Sequence, residues 1–100
     1  MRRIPKTLKL LGHTITVRIV TKRDWDAISE ENDLEDALAC WVPDRDLILI
    51  KRQTREQMLH CFFHELTHAV LDMLNDKLSF NEQFVDNFSG LLAQAMDTAR

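Results

Sequence analysis

The spacing of apolar residues changes period once along this chain, near Thr54, and that single change constrains the fold most. Before it the pattern has period two. Thr7, Lys9 and Leu11 alternate with Leu8 and Leu10, and Ile15, Val17 and Ile19 alternate with Thr14, Thr16 and Arg18. Gly12-His13 lies between the two runs, so the spacing predicts a β-hairpin over roughly Lys6–Val20. Pro43-Asp44-Arg45-Asp46 is turn chemistry and predicts a second hairpin from Leu38–Val42 and Leu47–Arg52. Within it, Leu47-Ile48-Leu49-Ile50 predicts a strand buried on both faces. Thr21–Ser29 is compatible with a short helix opened by Thr21. Glu30–Asp36, with five acids in seven residues, predicts an exposed loop.

After Thr54 the period is helical. Thr54 with Gln57 three residues later reads as a capping box. The helix it opens should run from about Arg55 to Asn75, with Met58, Leu59, Phe62, Leu66, Ala69, Val70 and Met73 on one apolar arc. Asn75-Asp76 breaks it. Asn81 can cap a second helix over Glu82–Thr98, whose broad apolar side carries Phe84, Val85, Phe88, Leu91, Leu92, Ala95 and Met96. Strands followed by helices make the class α+β. With 100 residues, 45% apolar and 29% charged, residues 1–100 are expected to form one folded domain.

Charge and patterning exclude several function classes. A net charge of −3 argues against a nucleic-acid binder driven by a strong basic field. The basic stretch Met1–Lys9 is most simply a solvated terminus. Apolar runs are short, Leu47–Ile50 among them, so no membrane span is expected. The N-terminus has no apolar core of a secretory signal. Cys40 and Cys61 lack framework spacing and read as reduced thiols of a cytoplasmic protein.

The chemistry concentrates in His64-Glu65-Leu66-Thr67-His68. Two His at i and i+4 project from one helix face, close enough for both imidazoles to reach a single ion. Glu65 lies about 100° round the helix from His64, where its carboxylate can flank the ion and hold a water without ligating. This is the H-E-x-x-H arrangement of zinc-dependent peptidases, which keep three protein ligands and one open position, and whose zinc lowers a water pKa towards about 7. With four His and six Glu in the chain, chance supplies such a pentapeptide in about one chain in a hundred. Its place mid-helix, after a strand and opposite the apolar arc, adds weight. The bland alternative is an exposed helix with two solvated His.

A third ligand must come from another element. Glu82 lies 14 residues after His68, at the start of the next helix, and Asp86 follows one turn later on the same face. Glu82 is the candidate ligand, and Asp86 the candidate acceptor for a ligating imidazole's N–H. The bland alternative for Glu82 is an acid favoured by the helix dipole. Asp72 and Asp76 compete as ligands but are tied to the first helix or its exit. Ser89, Gly90 and Ala93 are small enough to let the two helices approach closely.

At these residues the chain resembles the gluzincin metallopeptidases, whose signature is H-E-x-x-H followed by E-x-x-x-D. More closely, Glu82-Gln-Phe-Val-Asp-Asn-Phe-Ser resembles the E-x-x-A-x-x-F-A stretch of the ImmA/IrrE-like family of compact intracellular metallopeptidases, phage-encoded members included. Val85 and Ser89 stand where that family usually has alanine, and the interval from His68 to Glu82 is short for it. The resemblance spans roughly Leu47–Met96. It implies a minimal zincin-like domain, with a small, mostly antiparallel sheet packed on the motif helix. It also implies zinc held by His64, His68 and Glu82, and Glu65 as the proton-transferring base. An extended peptide would pair with a sheet edge, Leu47–Arg52 or Leu38–Val42.

Such peptidases usually supply a Tyr, His or Arg to stabilise the oxyanion. The chain has no Tyr. His60, one turn before His64, is the candidate stabiliser, with a plain surface His as its alternative; Arg45, Arg52 and Arg55 are weaker candidates. His13 reads as surface, Trp25 and Trp41 as core or cleft wall, and Cys61 as a small buried hydrophobe. The expected function is therefore a zinc-dependent endopeptidase acting on a protein or peptide, with no membrane or nucleic-acid partner. The competing expectations are a zinc-containing binding module with little proteolysis and a purely structural metal site.

Overall fold

The computed structural model describes residues 3–32, 34 and 37–99. Four strands form one mixed sheet: β1 (Thr7–Leu10), β2 (His13–Val20), β3 (Ala39–Val42) and β4 (Leu47–Lys51), in the order β1-β2-β4-β3. Three helices accompany it: α1 (Lys22–Asn32), α2 (Arg55–Met73) and α3 (Glu82–Thr98). The expected α+β class holds, and two of the three strand pairings are antiparallel hairpins. The hairpins join through a parallel pairing of β2 with β4, from Thr16↔Leu47 to Val20↔Lys51. That places β4 in the interior of the sheet and leaves β3 as an edge.

Local chemistry accounts for most boundaries. The first hairpin turns at Leu11-Gly12, one residue earlier than the sequence suggests, with φ of 50° and 82°. Two consecutive positive φ values match the twist of a two-residue hairpin turn, and glycine makes the second one cheap. His13 therefore begins β2. At the second hairpin Pro43–Arg45 forms a 3-10 turn and Asp46 closes it at φ 48°. Thr54 Oγ1 accepts from Gln57 N–H and opens α2. Asp76 caps the 3-10 turn Lys77–Phe80, and Asn81 caps α3.

Residues 22–32 depart from expectation. The helix that Thr21 opens, its hydroxyl accepting from Asp24 N–H, continues through Glu30 and Glu31 to Asn32. Those acids are good helix formers and point to water, while Trp25 and Ser29 anchor the opposite side. Residues 33, 35 and 36 of the expected acidic loop lie outside the described residues.

The sheet is covered on both faces, so β4 is buried on both, as its unbroken apolar run implies. Leu47 and Leu49 pack with Val20 and Trp25 under α1. Ile48 and Ile50 pack with Ile15, Val17, Met58, Phe62 and Phe63 under α2. Full burial of each such side chain contributes about 1.5–3 kcal/mol. On its far side α2 meets α3, where Val85 and Ser89 are completely buried. The motif helix is consequently packed between the sheet and α3, and His64 and His68 lie at a junction of elements rather than on the open face that the apolar arc implies. The apolar side of α3 is only partly used: Phe88 and Leu91 stay exposed. No helix among the described residues is long and apolar enough to cross a membrane.

Candidate metal centre

Two helices, α2 and α3, build the site at the middle of α2. α2 supplies His64 and His68 from successive turns, with ring centroids 5.0 Å apart. The first turn of α3 supplies Glu82. Its carboxylate bridges the two rings, Oε2 lying 3.3 Å from His64 Nε2 and Oε1 lying 3.0 Å from His68 Nε2. One ligand atom from each of the three residues falls within 4.8 Å of the others, a group in range to hold a metal ion. Asn81 fixes the placement of Glu82, because its side chain accepts from Phe84 N–H and starts α3 beside the two imidazoles.

The other ring nitrogens are also engaged. His64 Nδ1 lies 2.9 Å from Asp86 Oδ1. His68 Nδ1 lies 3.2 Å from Ser79 Oγ. Asp86 and Glu82 are carboxylates that only accept, so each ring nitrogen of His64 faces an acceptor, an arrangement that a cation in the notch would satisfy. The donor chemistry of the notch therefore suits a metal ion, and its ligand types, two imidazoles and a carboxylate, are those of divalent first-row metals.

Glu65 differs from the other acids here. It is buried, with Oε2 3.9 Å from His64 Nε2. Burial pushes its carboxyl up to about 7; the nearby Glu82 charge adds to the rise, and the Trp41 backbone N–H, which donates to it, partly offsets it. That donor follows from the register of β3. Leu38 C=O accepts from Lys51 N–H, so along the ladder Cys40 and Val42 face β4, while Ala39 and Trp41 turn their backbone groups outward. Glu65 thus sits where the outward edge of β3 meets the His–His–Glu notch.

A cleft of about 550 Å³ opens over these residues, with Ala39, Trp41, Pro43, Asp72 and Phe80 among its walls. Trp41 packs against the core and also lines this cleft, its indole N–H donating to Asp72 Oδ2 at 2.8 Å. Asp72 is thereby held at the rim. Trp25 is fully core. Cys61 packs against the core and its sulfur accepts from Gln53 Nε2, and burial raises both cysteine thiols.

His60 does not line this cleft. It lies in a separate hollow between α2 and α3, beside Leu59, Phe63 and Gly90. One turn along a helix carries a side chain about 5.4 Å, enough here to move it from the sheet-edge junction to the α3 side. His13 pairs with Asp46 at the far hairpin turns. Sequence reasoning does not reach Ser79: a serine in a break between two helices carries no periodic or motif signal, and only the 3-10 turn, of which it is the buried residue, brings it to His68. Comparisons of this chain with protein families, with curated proteins and with solved structures return no match.

Proposed function

We propose that this protein is a zinc-dependent metallo-endopeptidase that hydrolyses peptide bonds of a protein substrate. The observation that carries this reading is the position of Glu65: a buried acid with a raised pKa, between the His64–His68–Glu82 notch and the outward edge of β3. When bound, zinc supplies Lewis acidity, polarising a carbonyl and lowering the pKa of a water towards about 7. The chain's own residues supply the rest. His64, His68 and Glu82 hold the ion, and the described group contains three such side chains, leaving a coordination position for water or substrate as catalytic sites do. Ala39, with both backbone groups outward, and the Trp41 carbonyl offer an extended peptide pairing partners along β3. Glu65 receives the proton of the attacking water and returns it to the leaving amine, a transfer that its place beside the notch allows.

The test is to load purified protein with zinc, incubate it with a peptide library, and map new N-termini by mass spectrometry. Cuts made by the wild type and absent from Glu65→Gln at equal zinc content support the assignment. Tight zinc binding without cuts leaves a zinc-containing binding module as the function. Failure to bind zinc removes both readings.

A further inference from the structure

We propose that an apolar groove between α2 and α3, separate from the metal notch, docks an amphipathic helix of a partner protein whose apolar face is flanked by Lys and Arg. Leu66, Val70 and Leu74 recur every four residues along α2 and its cap, and Phe84, Phe88 and Leu92 do the same along α3. These two stripes line a hollow of about 350 Å³ that shares no wall residue with the cleft over the notch. The Phe84 and Phe88 rings stack, with centroids 5.8 Å apart, and give one wall a flat aromatic surface. Thr67, the polar residue of the lining, is buried and donates its hydroxyl to the Phe63 carbonyl at 2.8 Å. Its one donor is thus already spent, and recognition in the groove rests on apolar contact.

The groove is open to solvent, with Leu74 63% and Phe88 48% exposed. Among the described residues, six of the eight large hydrophobic side chains that stay exposed lie between Leu74 and Met96, so the apolar surface is concentrated on the helix pair rather than scattered. A groove between two helices takes a third helix through anchors at i, i+4 and i+7. Charge selects the occupant. From Glu56 to Ala99 the chain has seven acids and a single Lys or Arg, Lys77. The last turn of α2, at the Leu74 end of the groove, has no basic residue to offset its carbonyl dipoles. The field over the helix pair is therefore negative and draws in a cationic partner. It opposes a two-fold contact with a second copy, in which two such acidic pairs would meet face to face.

The experiment titrates the full chain into two fluorescein-labelled amphipathic peptides that share a leucine face, one with Lys and the other with Glu on the polar face, and reads anisotropy. The Leu/Lys peptide should bind, and the Leu/Glu peptide should bind more weakly by about tenfold or more. Amide shifts caused by the Leu/Lys peptide should cluster at Leu66, Val70, Phe84 and Phe88. Phe88→Asp and Leu74→Asp, at substantially exposed positions, should keep the far-ultraviolet circular dichroism of the wild type. Each should weaken the Leu/Lys peptide by about tenfold or more, although each adds an acid that a purely electrostatic attraction would reward. Equal binding of the two peptides, binding of neither, or binding that the Asp variants leave unchanged or tighten overturns the proposal. Self-association in sedimentation, or flotation with phosphatidylcholine vesicles, that either Asp variant abolishes gives the groove to another occupant and overturns it too. None of these readings involves zinc, so they decide on the groove whatever the notch binds.

Discussion

His64 Nδ1 and Asp86 Oδ1 lie 2.9 Å apart across the contact between α2 and α3. The pair is one helical turn beyond the Glu82 contact on the same face of α3, so a single helix supplies both the bridging carboxylate and the acceptor behind the ring. Removing the acceptor should leave the ring free to turn and its proton free to choose either nitrogen. Asp86→Ala is expected to lower zinc affinity by about 10–100-fold while the fold persists, since Asp86 is largely exposed. Chelator competition measures the first effect and far-ultraviolet circular dichroism the second. An unchanged affinity would show that Asp86 does not orient His64.

Glu65 makes the metal-free protein sensitive to pH in a defined direction. Its folded pKa of about 7 lies above its ordinary value of 4.5. Between those values the unfolded chain binds fewer protons than the folded one, so stability falls as pH rises through this window and levels off above it. Full ionisation of the buried group, reached above neutral pH, costs on the order of 3 kcal/mol. Glu65→Gln should therefore be more stable than the wild type at pH 8 and much closer to it at pH 4.5, as read from urea midpoints with a chelator present. A difference independent of pH would show that Glu65 is not the titrating group.

Much of this architecture is legible because it depends on short-range rules. The period change at Thr54, the caps at Thr54 and Asn81, and the apolar run Leu47–Ile50 each act within a few residues, and α3 begins and ends where the pattern places it. His64 and His68 meet because helix geometry obliges them to. Glu82 and Asp86 could be named as partners because their spacing repeats that geometry on a second helix. The parallel β2–β4 pairing, Ser79 against His68 and the Trp41–Asp72 bond depend on how distant segments dock, which no local pattern encodes. His60 shows the same limit from the other side. A helical wheel puts it near His64, but the boundary between sheet edge and α3 falls between them.

Trp25 anchors α1 to the face of the sheet away from the metal notch. It is only 1% exposed and packs in the cluster with Val20, Leu47 and Leu49. Trp25→Ala removes a large side chain from a site walled by a sheet, where collapse is restricted, and should cost roughly 3–5 kcal/mol. Urea denaturation followed by circular dichroism measures the loss. Zinc affinity of the folded fraction should change little, because the notch is assembled on the opposite face. Loss of zinc binding without loss of stability would contradict that separation.

Cys40 and Cys61 lie on different elements, yet their thiols are raised by the same causes: chiefly burial, with the Glu65 charge contributing to both; at Cys61 the hydrogen bond from Gln53 opposes the rise. A raised thiol pKa leaves less thiolate at a given pH, so both should react with a disulfide reagent at pH 8 more slowly than an unstructured cysteine, and the rate should go on rising beyond pH 9 instead of levelling off there. The unfolded chain ionises its thiols at lower pH than the folded one does, so stability should also decline above that pH. Glu65→Gln removes one cause of the rise without changing burial, and both thiols should then react faster at pH 8 in metal-free protein. Stopped-flow absorbance resolves the rates. Unchanged rates in Glu65→Gln would mean that burial alone protects the two sulfurs and that the Glu65 charge does not reach them.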